Sequence, residues 1–484
     1  MKLIEITFLL IIFCVNSSFS KNASFQECIK LLEAGKFQKM LELSKELPDN
    51  EQHHILSLYY MYKGNYEKSL SEIEKTDLKD NRLNLFLYVK ELIKLTEKFE
   101  EFETENFRFR LSKEDLILKK YLIQNSKKIF ENVGKVFDYF PEEKVLVEIY
   151  PDKESFAFSS TLGEEIVEKS GTIGICKFNR IMIVSPRALP QGYRWLNAIS
   201  HEYIHFVVNR ISEYGCPLWL HEGIAKHYEK IWKYENFSDE TPGNINLLVD
   251  AIKENKIISF ERMSPSLVYL RDQDEIALAF VEVSNAVKFI VENYSNKKLL
   301  ELLRNLSNSR EEISFKKTFG ISYKRFEKNW LNYIKNLKIE KTEGAIPDKI
   351  TWKKVDEIDA FVGISVRDYV RLGDKLRMNG KSEVAYLEYK KALESEKFNP
   401  VVLLKISKTL VEMGKIDEAE EYIKICVEKN PNYVSGWEFL GKICILKKKY
   451  KEALNALTEA IEINPFNPFT QDHLNYLENQ NLTY

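Results

Sequence analysis

The six residues from Ser200 to His205 constrain the fold more than any other stretch of this sequence. They read Ser-His-Glu-Tyr-Ile-His and place a glutamate directly after the first of two histidines. On a helix, His201 and His205 lie one turn apart on the same face, about 6 Å along the axis. Two imidazoles at this spacing can bind one Zn²⁺, and the Glu202 carboxylate can lie beside the ion as a general base. The stretch therefore predicts a helix that supplies half of a metal site.

A second motif, Trp-Leu-His-Glu-Gly-Ile-Ala at residues 219–225, is the candidate source of a third ligand. Catalytic zinc sites usually have three protein ligands and one open position. The Gly-Cys-Pro stretch at 215–217 ends the first helix, and proline is suited to start the next one. That second helix would run back beside the first and bring Glu222 to the metal. His221 is an alternative ligand, although its helical position favours a solvent-facing or supporting role.

The pair His-Glu-x-x-His and Trp-Leu-x-Glu-Gly-x-Ala resembles the motifs of the gluzincin metallopeptidases. It is most similar to the bacterial Peptidase MA-like domain, which often occurs with tetratricopeptide repeats, and the resemblance covers residues 105–338. It implies that His201, His205 and Glu222 bind Zn²⁺ and that Glu202 is the catalytic base. The alternative interpretation is a helix with two incidental surface histidines.

Two other zinc peptidase classes fit less well. A metzincin site needs glycine at 208 and histidine at 211, where this chain has Val208 and Ile211. Zinc aminopeptidases share the second motif, but they carry an upstream Gly-x-Met-Glu-Asn stretch whose glutamate holds the free amine of the substrate. No such stretch occurs here, so we expect an endopeptidase.

The residue that would stabilise the oxyanion is left open by the sequence. Many gluzincins use a tyrosine or histidine from a later helix for this role. The candidates are Tyr228, His227 and Tyr269, each of which also has a purely structural interpretation. Relatives often carry a tyrosine near the position of Phe280, and phenylalanine at that position puts the role in doubt.

The pattern around the motifs predicts an α+β zincin-like domain. Alternating apolar residues at 106–111 and 144–150 predict strands, and 171–186 reads as a hairpin turning near 178–180. A strand just before the motif helix could accept an extended peptide at its edge, or it could be an ordinary hairpin. A single helix is expected over 156–169. Further helices are expected near 246–254, 274–293, 296–305, 311–319 and 323–337.

All-α helical repeats are expected to flank this domain. Residues 366–467 repeat with a period of 34 and match the tetratricopeptide pattern, which predicts three repeats. Residues 468–484 would form a capping helix, and 339–365 suit a linker. Residues 21–100 read as degenerate tetratricopeptide-like pairs or as a plain helical bundle. The last repeat carries its characteristic residues at Trp437, Leu440, Gly441, Ala453, Leu457, Ala460 and Pro465.

The first twenty residues predict export. A basic start at Lys2, an apolar run and small residues near 18–20 fit a signal peptide at 1–20, with a mature start near Lys21. A lipoprotein would use Cys14, but bulky Phe13 precedes it. We therefore expect a periplasmic, cell-surface or secreted protein with no stable membrane span after the signal is removed.

Net charge restricts the classes of binding partner, and cysteine content restricts the kind of fold. The 71 basic and 73 acidic residues leave a formal net charge of −2, so no nucleic-acid partner is expected. Five widely spaced cysteines remain after signal removal, and they do not form a disulfide framework. The sequence thus predicts an exported zinc metallopeptidase whose repeats recruit a protein partner or a protein or peptide substrate. The alternative is a catalytically weak or inert scaffold of the cell envelope.

Overall fold

The four predicted strands and one further strand form a five-stranded sheet in the computed structural model, which describes residues 23–234, 240–354 and 356–479. The strand order is β1-β2-β3-β5-β4. The β2–β3 and β3–β5 pairs are parallel, whereas β1 and β4 run antiparallel to their neighbours. The predicted signal peptide at 1–20 lies outside the described residues. The strands are β1 (Phe99–Glu103), β2 (Phe107–Ser112), β3 (Val145–Tyr150), β4 (Gly174–Lys177) and β5 (Arg180–Val184).

The predicted hairpin forms with a two-residue turn between β4 and β5. Phe178 and Asn179 both have positive φ angles, 55° and 58°. Two successive residues in the left-handed region give a turn whose twist matches that of the flanking strands. This turn places β4 at the edge of the sheet, where one side of its backbone is unpaired by other strands.

Helices cover both faces of the sheet, so the strands alternate between two cores. Val145, Val147 and Ile149 belong to the larger core, whereas Tyr150 belongs to the core of the N-terminal helices. Successive side chains on a strand point to opposite faces, which accounts for the division. The N-terminal helices are α1 (Ala23–Glu33), α2 (Phe37–Ser44), α3 (Asp49–Tyr62), α4 (Tyr66–Ile73) and α5 (Asn81–Thr96).

Ten further α-helices among the described residues complete the central domain, and two of them replace a single predicted one. The helix expected over 156–169 is broken between Lys153–Ser160 and Glu164–Ser170, because Thr161 and Gly163 adopt positive φ angles of 63° and 80°. The helices are α6 (Leu118–Phe137), α7 (Lys153–Ser160), α8 (Glu164–Ser170), α9 (Trp195–Ser212), α10 (Leu218–Tyr228), α11 (Pro242–Glu254), α12 (Gln273–Tyr294), α13 (Asn296–Leu306), α14 (Glu311–Phe319) and α15 (Tyr323–Lys335).

The sheet also extends beyond the predicted start of the domain. β1 lies before residue 105, in a stretch that we expected to be helical up to about residue 100. Its acidic residues interrupt the two-residue alternation, because β1 is an exposed edge strand with one neighbour. Sequence periodicity is weak where neither face of a strand is deeply buried.

The C-terminal part consists of helical hairpins. The pairs α17–α18, α19–α20 and α21–α22 each contact one another along their length, and α23 packs on α22. These elements coincide with the predicted repeats and the start of the predicted capping helix. The helices are α16 (Glu357–Phe361), α17 (Arg367–Met378), α18 (Ser382–Ser395), α19 (Pro400–Glu412), α20 (Ile416–Lys429), α21 (Val434–Leu446), α22 (Tyr450–Ile463) and α23 (Pro468–Asn479).

The segment predicted as a linker is fastened along the central domain. Side-chain amides bond to its backbone: Asn246 to Thr342 and Ala345, and Gln273 to Ile350. Asn430 holds it from the repeat side, by bonds to Gly344 and Ile346. These hydrogen bonds pair backbone N–H and C=O groups of a segment that forms no helix or sheet at these positions.

Within the described ranges, no helix has both the length and the apolar character required to cross a bilayer.

Candidate metal centre

The helix α9 carries His201, Glu202 and His205 through the middle of the larger core. It is apolar around most of its circumference, so the helix is buried rather than laid on the surface. It ends where Glu213 and Tyr214 adopt left-handed conformations, φ 45° and 64°. The chain can turn back immediately afterwards because residue 215 is glycine. A Cβ at Gly215 would lie 2.2 Å from the Leu306 carbonyl oxygen.

The helix α10 brings Glu222 to the same place. It starts just after Pro217, as expected, and ends at Tyr228. Glu222 therefore lies about one turn into the helix. Gly223 lets α10 approach α12, because a Cβ there would lie 2.5 Å from the Val283 carbonyl oxygen. The glycine of the second motif thus has a packing role that seats its glutamate.

Glu222 lies close to both predicted histidine ligands. Glu222 Oε2 lies 3.6 Å from His201 Nε2 and 3.4 Å from His205 Nε2. Donors about 2.1 Å from one tetrahedral ion are about 3.4 Å from each other. Both separations from Glu222 fit such an arrangement. Burial alone would raise the pKa of Glu222, but His205 and His201 outweigh it and hold the pKa well below its usual range, so the carboxylate is ionised as a ligand must be.

Glu202 lies beside this group and against the edge strand β4. Its side chain is buried, and it accepts a hydrogen bond from the Cys176 backbone N–H. Glu202 Oε2 has no hydrogen-bond partner among the described residues. Burial raises the pKa of Glu202 above its usual value, against the opposing effect of His205 and His201. A carboxylate with a raised pKa and a free oxygen is suited to accept a proton.

Glu229, which the motifs did not point to, supports His201 from the other side. Glu229 Oε2 lies 3.2 Å from His201 Nδ1, and Glu229 Oε1 accepts a hydrogen bond of 2.9 Å from Lys226. A carboxylate on the far nitrogen fixes the ring orientation and tautomer of a metal-ligating histidine. Glu229 lies two helical turns after Glu222. It belongs to neither motif, so only a search for a carboxylate partner of His201 could have found it in the sequence.

His221 is part of the site, is partly buried and borders the cleft described below. Its ring stacks on the ring of His205, with centroids 4.1 Å apart and an interplanar angle of 19°. Potential ligand atoms of His205, His221 and Glu222 all lie within 4.8 Å of one another. Burial and the nearby His205 lower the pKa of His221 to about 3, which keeps its ring neutral. His221 therefore remains an alternative ligand, and its ring supports His205 by stacking.

The candidates for the oxyanion role lie outside the site. The Tyr228 hydroxyl donates to Asn296, the His227 ring packs edge-on against Tyr228, and Tyr269 is largely exposed. None of the three borders the cleft described below. Phe280 does border it, with its ring centroid 6.1 Å from that of His201. The position that we associated with a tyrosine in relatives is thus beside the candidate metal centre and has no hydroxyl.

A cleft of about 1390 Å³ opens over these residues. Pockets for small molecules usually measure about 300–1,000 Å³. The edge strand β4 forms one side, from Gly174 to Cys176, and residues of α12 form another. The size and the free strand edge suit an extended chain rather than a compact ligand.

Two segments of the chain match known families. Residues 142–336 match the model of the Peptidase MA superfamily, and residues 434–467 match that of a tetratricopeptide repeat. The chain therefore contains a Peptidase MA superfamily domain and a tetratricopeptide repeat. The first match begins just before β3, so it leaves out β1 and β2 of the same sheet. The comparison with curated proteins gave no match.

Similar solved structures include the first TPR of Spaghetti (RPAP3) bound to an HSP90 peptide, with 20% identity and a TM-score of 0.24 over 25% of this chain and 98% of that chain. The Sgt2 TPR domain from Aspergillus fumigatus has 19% identity and a TM-score of 0.24 over 25% of this chain and 82% of that chain. Yeast LTA4 hydrolase in complex with Bestatin has 10% identity and a TM-score of 0.31, over 79% of this chain and 64% of that chain. At these TM-scores we transfer no property of the three proteins to this chain.

Proposed function

We propose that the Peptidase MA superfamily domain of this chain is a zinc-dependent endopeptidase. His201, His205 and Glu222 would hold the ion, and Glu202 would act as the general base. The observation that carries the proposal is the convergence of Glu222 Oε2 on the Nε2 atoms of both histidines, at 3.6 and 3.4 Å. Two imidazoles and one carboxylate are a donor set used by catalytic zinc sites that keep one position open.

Each residue of the site has a separate role in the proposed hydrolysis of an amide. A bound zinc ion supplies Lewis acidity, which polarises a carbonyl group and acidifies water. The Glu202 carboxylate takes the proton of the attacking water and delivers it to the leaving amine. Glu229 holds the His201 ring in one orientation throughout, since its carboxylate contacts Nδ1. The edge of β4 aligns the substrate by main-chain hydrogen bonds.

Three further parts of the proposal rest on other observations. Endopeptidase action is favoured by the absence from the sequence of the amine-binding Gly-x-Met-Glu-Asn stretch and by the cleft volume of about 1390 Å³. Recruitment of a protein by the repeats rests on the tetratricopeptide match. Export rests on residues 1–20 alone, and the measurement that checks it is the N-terminal sequence of the mature protein, expected near Lys21.

The experiment that tests the mechanism compares zinc content and peptide hydrolysis in three proteins. We expect the wild type to contain one zinc ion per chain and to hydrolyse peptides. Glu202→Gln should retain zinc and lose activity by at least about 100-fold, since it removes the general base. Glu222→Ala should lose both, because two ligands hold zinc poorly. The mechanism is wrong if Glu202→Gln stays active, or if Glu222→Ala binds zinc as the wild type does.

A second candidate function is an inert or weak zincin-like scaffold, with the repeats providing the activity of the protein in the cell envelope. Phe280 favours it, because the side chain beside His201 offers no donor to an oxyanion. The two tyrosines that border the cleft also have their hydroxyl groups engaged, Tyr193 with Val184 and Tyr234 with Glu459. Under this alternative, Glu202→Gln would leave the cellular phenotype unchanged, whereas deletion of the repeats would abolish it.

A further inference from the structure

The last helical hairpin, α21–α22, borders the same cleft as the candidate metal centre. Trp437 of α21 and Asn455 and Thr458 of α22 line it, together with Phe280 and the β4 edge. A tetratricopeptide hairpin that served only to recruit a separate partner would not need to form a wall of the catalytic cleft. Its place raises the question of what the hairpin contacts there.

Hydrogen bonds to backbone carbonyl groups of α22 fix this hairpin to the start of α9, the helix that carries the histidines. The Tyr193 backbone N–H donates to the Ile463 carbonyl oxygen at 2.9 Å. The Trp195 indole N–H donates to the Ile461 carbonyl oxygen at 3.2 Å. Gly192 allows the close approach, since a Cβ there would lie 2.3 Å from the Ile463 oxygen. The end of α22 and the start of α9 therefore hold one relative position.

An ion cluster also connects α22 to the start of α9, and it pairs the charged side chains with which the hairpin borders the cleft. Arg194 donates to Glu459 at 2.8 Å and to Glu462 at 3.2 Å, and Lys233 lies within 2.7 Å of both carboxylates. Two cations balance two carboxylates, so the wall presents little net charge to the cleft. Charged substrate side chains would gain little here, because each charge already has a partner.

The part of the wall beyond the cluster is uncharged. The Trp437 indole N–H donates to the Pro431 carbonyl oxygen at 2.8 Å, which leaves the ring surface as an apolar contact. The Thr458 hydroxyl donates to the Leu454 carbonyl oxygen at 2.8 Å within α22, and its oxygen can still accept a hydrogen bond from a peptide backbone. Apolar residues that border the rest of the cleft are Leu162, Ile173, Leu267, Val268, Ile276 and Phe280.

We propose that α21–α22 forms a substrate subsite of the peptidase, which binds the same extended peptide that reaches the metal centre and favours aliphatic or aromatic side chains at that point. The last repeat then selects the substrate in cis instead of docking a separate partner. This inference rests on the proposed function, because it assigns the occupant of the same cleft.

The test uses the full chain carrying Glu202→Gln, so that bound peptide is not consumed. A photo-crosslinking p-benzoylphenylalanine replaces Asn455, and in a control it replaces Lys442, which is exposed on the same hairpin but does not border the cleft. The probes are biotinylated peptides of about twelve residues, about 40 Å when extended. One set is rich in leucine and phenylalanine, and a matched set carries aspartate and lysine at those positions.

We expect the apolar peptides to crosslink at position 455 at least about tenfold more than at position 442, and more than the charged peptides do. In the active background, Asn455→Trp should lower kcat/KM for the long apolar peptides by about tenfold, with no change in zinc content. Lys442→Trp should match the wild type.

Equal crosslinking at positions 455 and 442 would overturn the subsite, even if the wild type hydrolyses peptides. Strong crosslinking at position 455 of the Glu202→Gln chain, combined with a wild type that hydrolyses none of the peptides, would support the peptide groove and overturn the proposed endopeptidase. A preference for the charged set would overturn the assigned side-chain chemistry.

Discussion

Gly174 lies directly against the carboxylate of Glu202. A Cβ at this position would lie 2.7 Å from Glu202 Oε1, closer than atoms can approach, so Gly174→Ala must displace the carboxylate. A displacement of about 1 Å at a catalytic group can cost about 100-fold in rate. We expect Gly174→Ala to lower kcat by about tenfold to 100-fold at unchanged zinc content. The double variant with Glu202→Gln should be no slower than Glu202→Gln alone, and an additive loss would show that Gly174 acts by another route.

Glu229 offers a second prediction for a single residue. Its carboxylate contacts His201 Nδ1, so Glu229→Gln should weaken zinc binding by about tenfold to 100-fold. Competition with a coloured chelator measures the affinity directly. Glu301→Gln serves as the control, since Glu301 is a half-exposed glutamate on α13, away from the cleft. Equal affinities in the two variants would contradict a role for Glu229 in the metal centre.

Residues of the two motifs were predictable because helical spacing is local. His201, Glu202 and His205 share one turn of α9, and their relation follows from helix geometry alone. Glu229 was missed, and the stacking of His221 on His205 was not predicted, because both contacts depend on how α10 is rotated against α9. That rotation is set by Gly223 packing on α12, a contact distant in the sequence.

The elements β3 and β5 hold a buried ion pair that attaches the N-terminal helices to the sheet. Glu148 and Arg180 are both fully buried, with Arg180 Nε 3.4 Å from Glu148 Oε2. Tyr66 of α4 donates to Glu148 Oε1 at 2.5 Å, and Tyr88 of α5 accepts from Arg180 at 3.0 Å. The pair therefore joins two strands to two helices.

We expect Arg180→Met to destabilise the fold by about 3 kcal/mol, because the buried Glu148 carboxylate then keeps only Arg110, at 3.4 Å, as a cation. The double variant Glu148→Leu with Arg180→Met should recover most of this loss, since neither charge of the buried pair remains. Urea denaturation followed by circular dichroism measures both. A double variant as unstable as Arg180→Met would mean that the cost lies in packing and not in the unpaired charge.

The same carboxylate makes stability depend on pH. Burial alone would raise the pKa of Glu148, but Arg180 and Arg110 outweigh it and lower the pKa below its usual value. A lowered folded-state pKa adds stability above the unfolded value of about 4.3, and this contribution is lost as the pH falls further. Between about pH 5 and pH 3, the wild type should lose more stability than the Glu148→Leu, Arg180→Met double variant. Equal slopes in denaturation series across this range would contradict the assignment.

At the scale of the whole molecule, the ion cluster described above connects the last repeat to the central domain. Glu459→Gln with Glu462→Gln would leave Arg194 and Lys233 without carboxylates at a largely buried interface. We expect a loss on the order of 3 kcal/mol. We also expect the metal domain and the repeats to unfold in one transition in the wild type, because α22 is bonded to the start of α9. Calorimetry that resolves two separate transitions in the wild type would contradict this coupling.

For the whole molecule, the sequence predicted the individual domains and helices better than it predicted how they pack against one another. The 34-residue period identified the hairpins of the C-terminal half, and the motifs identified the domain before them. The segment at 339–365 reads as a linker by composition, yet Asn246 and Asn430 hold part of it against both neighbours. Asparagine side chains carry no pattern that indicates which distant backbone they bind.

The sequence by itself indicated the candidate ligands, the candidate general base, the hairpin before the motif helix and the repeating helices, because each of these depends on spacing within a short stretch of chain. Only the tertiary structure decided that Glu229 supports His201, that His221 stacks on His205, and that Trp437 and Asn455 border the cleft. These contacts join helices that are distant in the sequence. Their geometry follows from close approaches at Gly192 and Gly223, which packing sets and local periodicity does not encode.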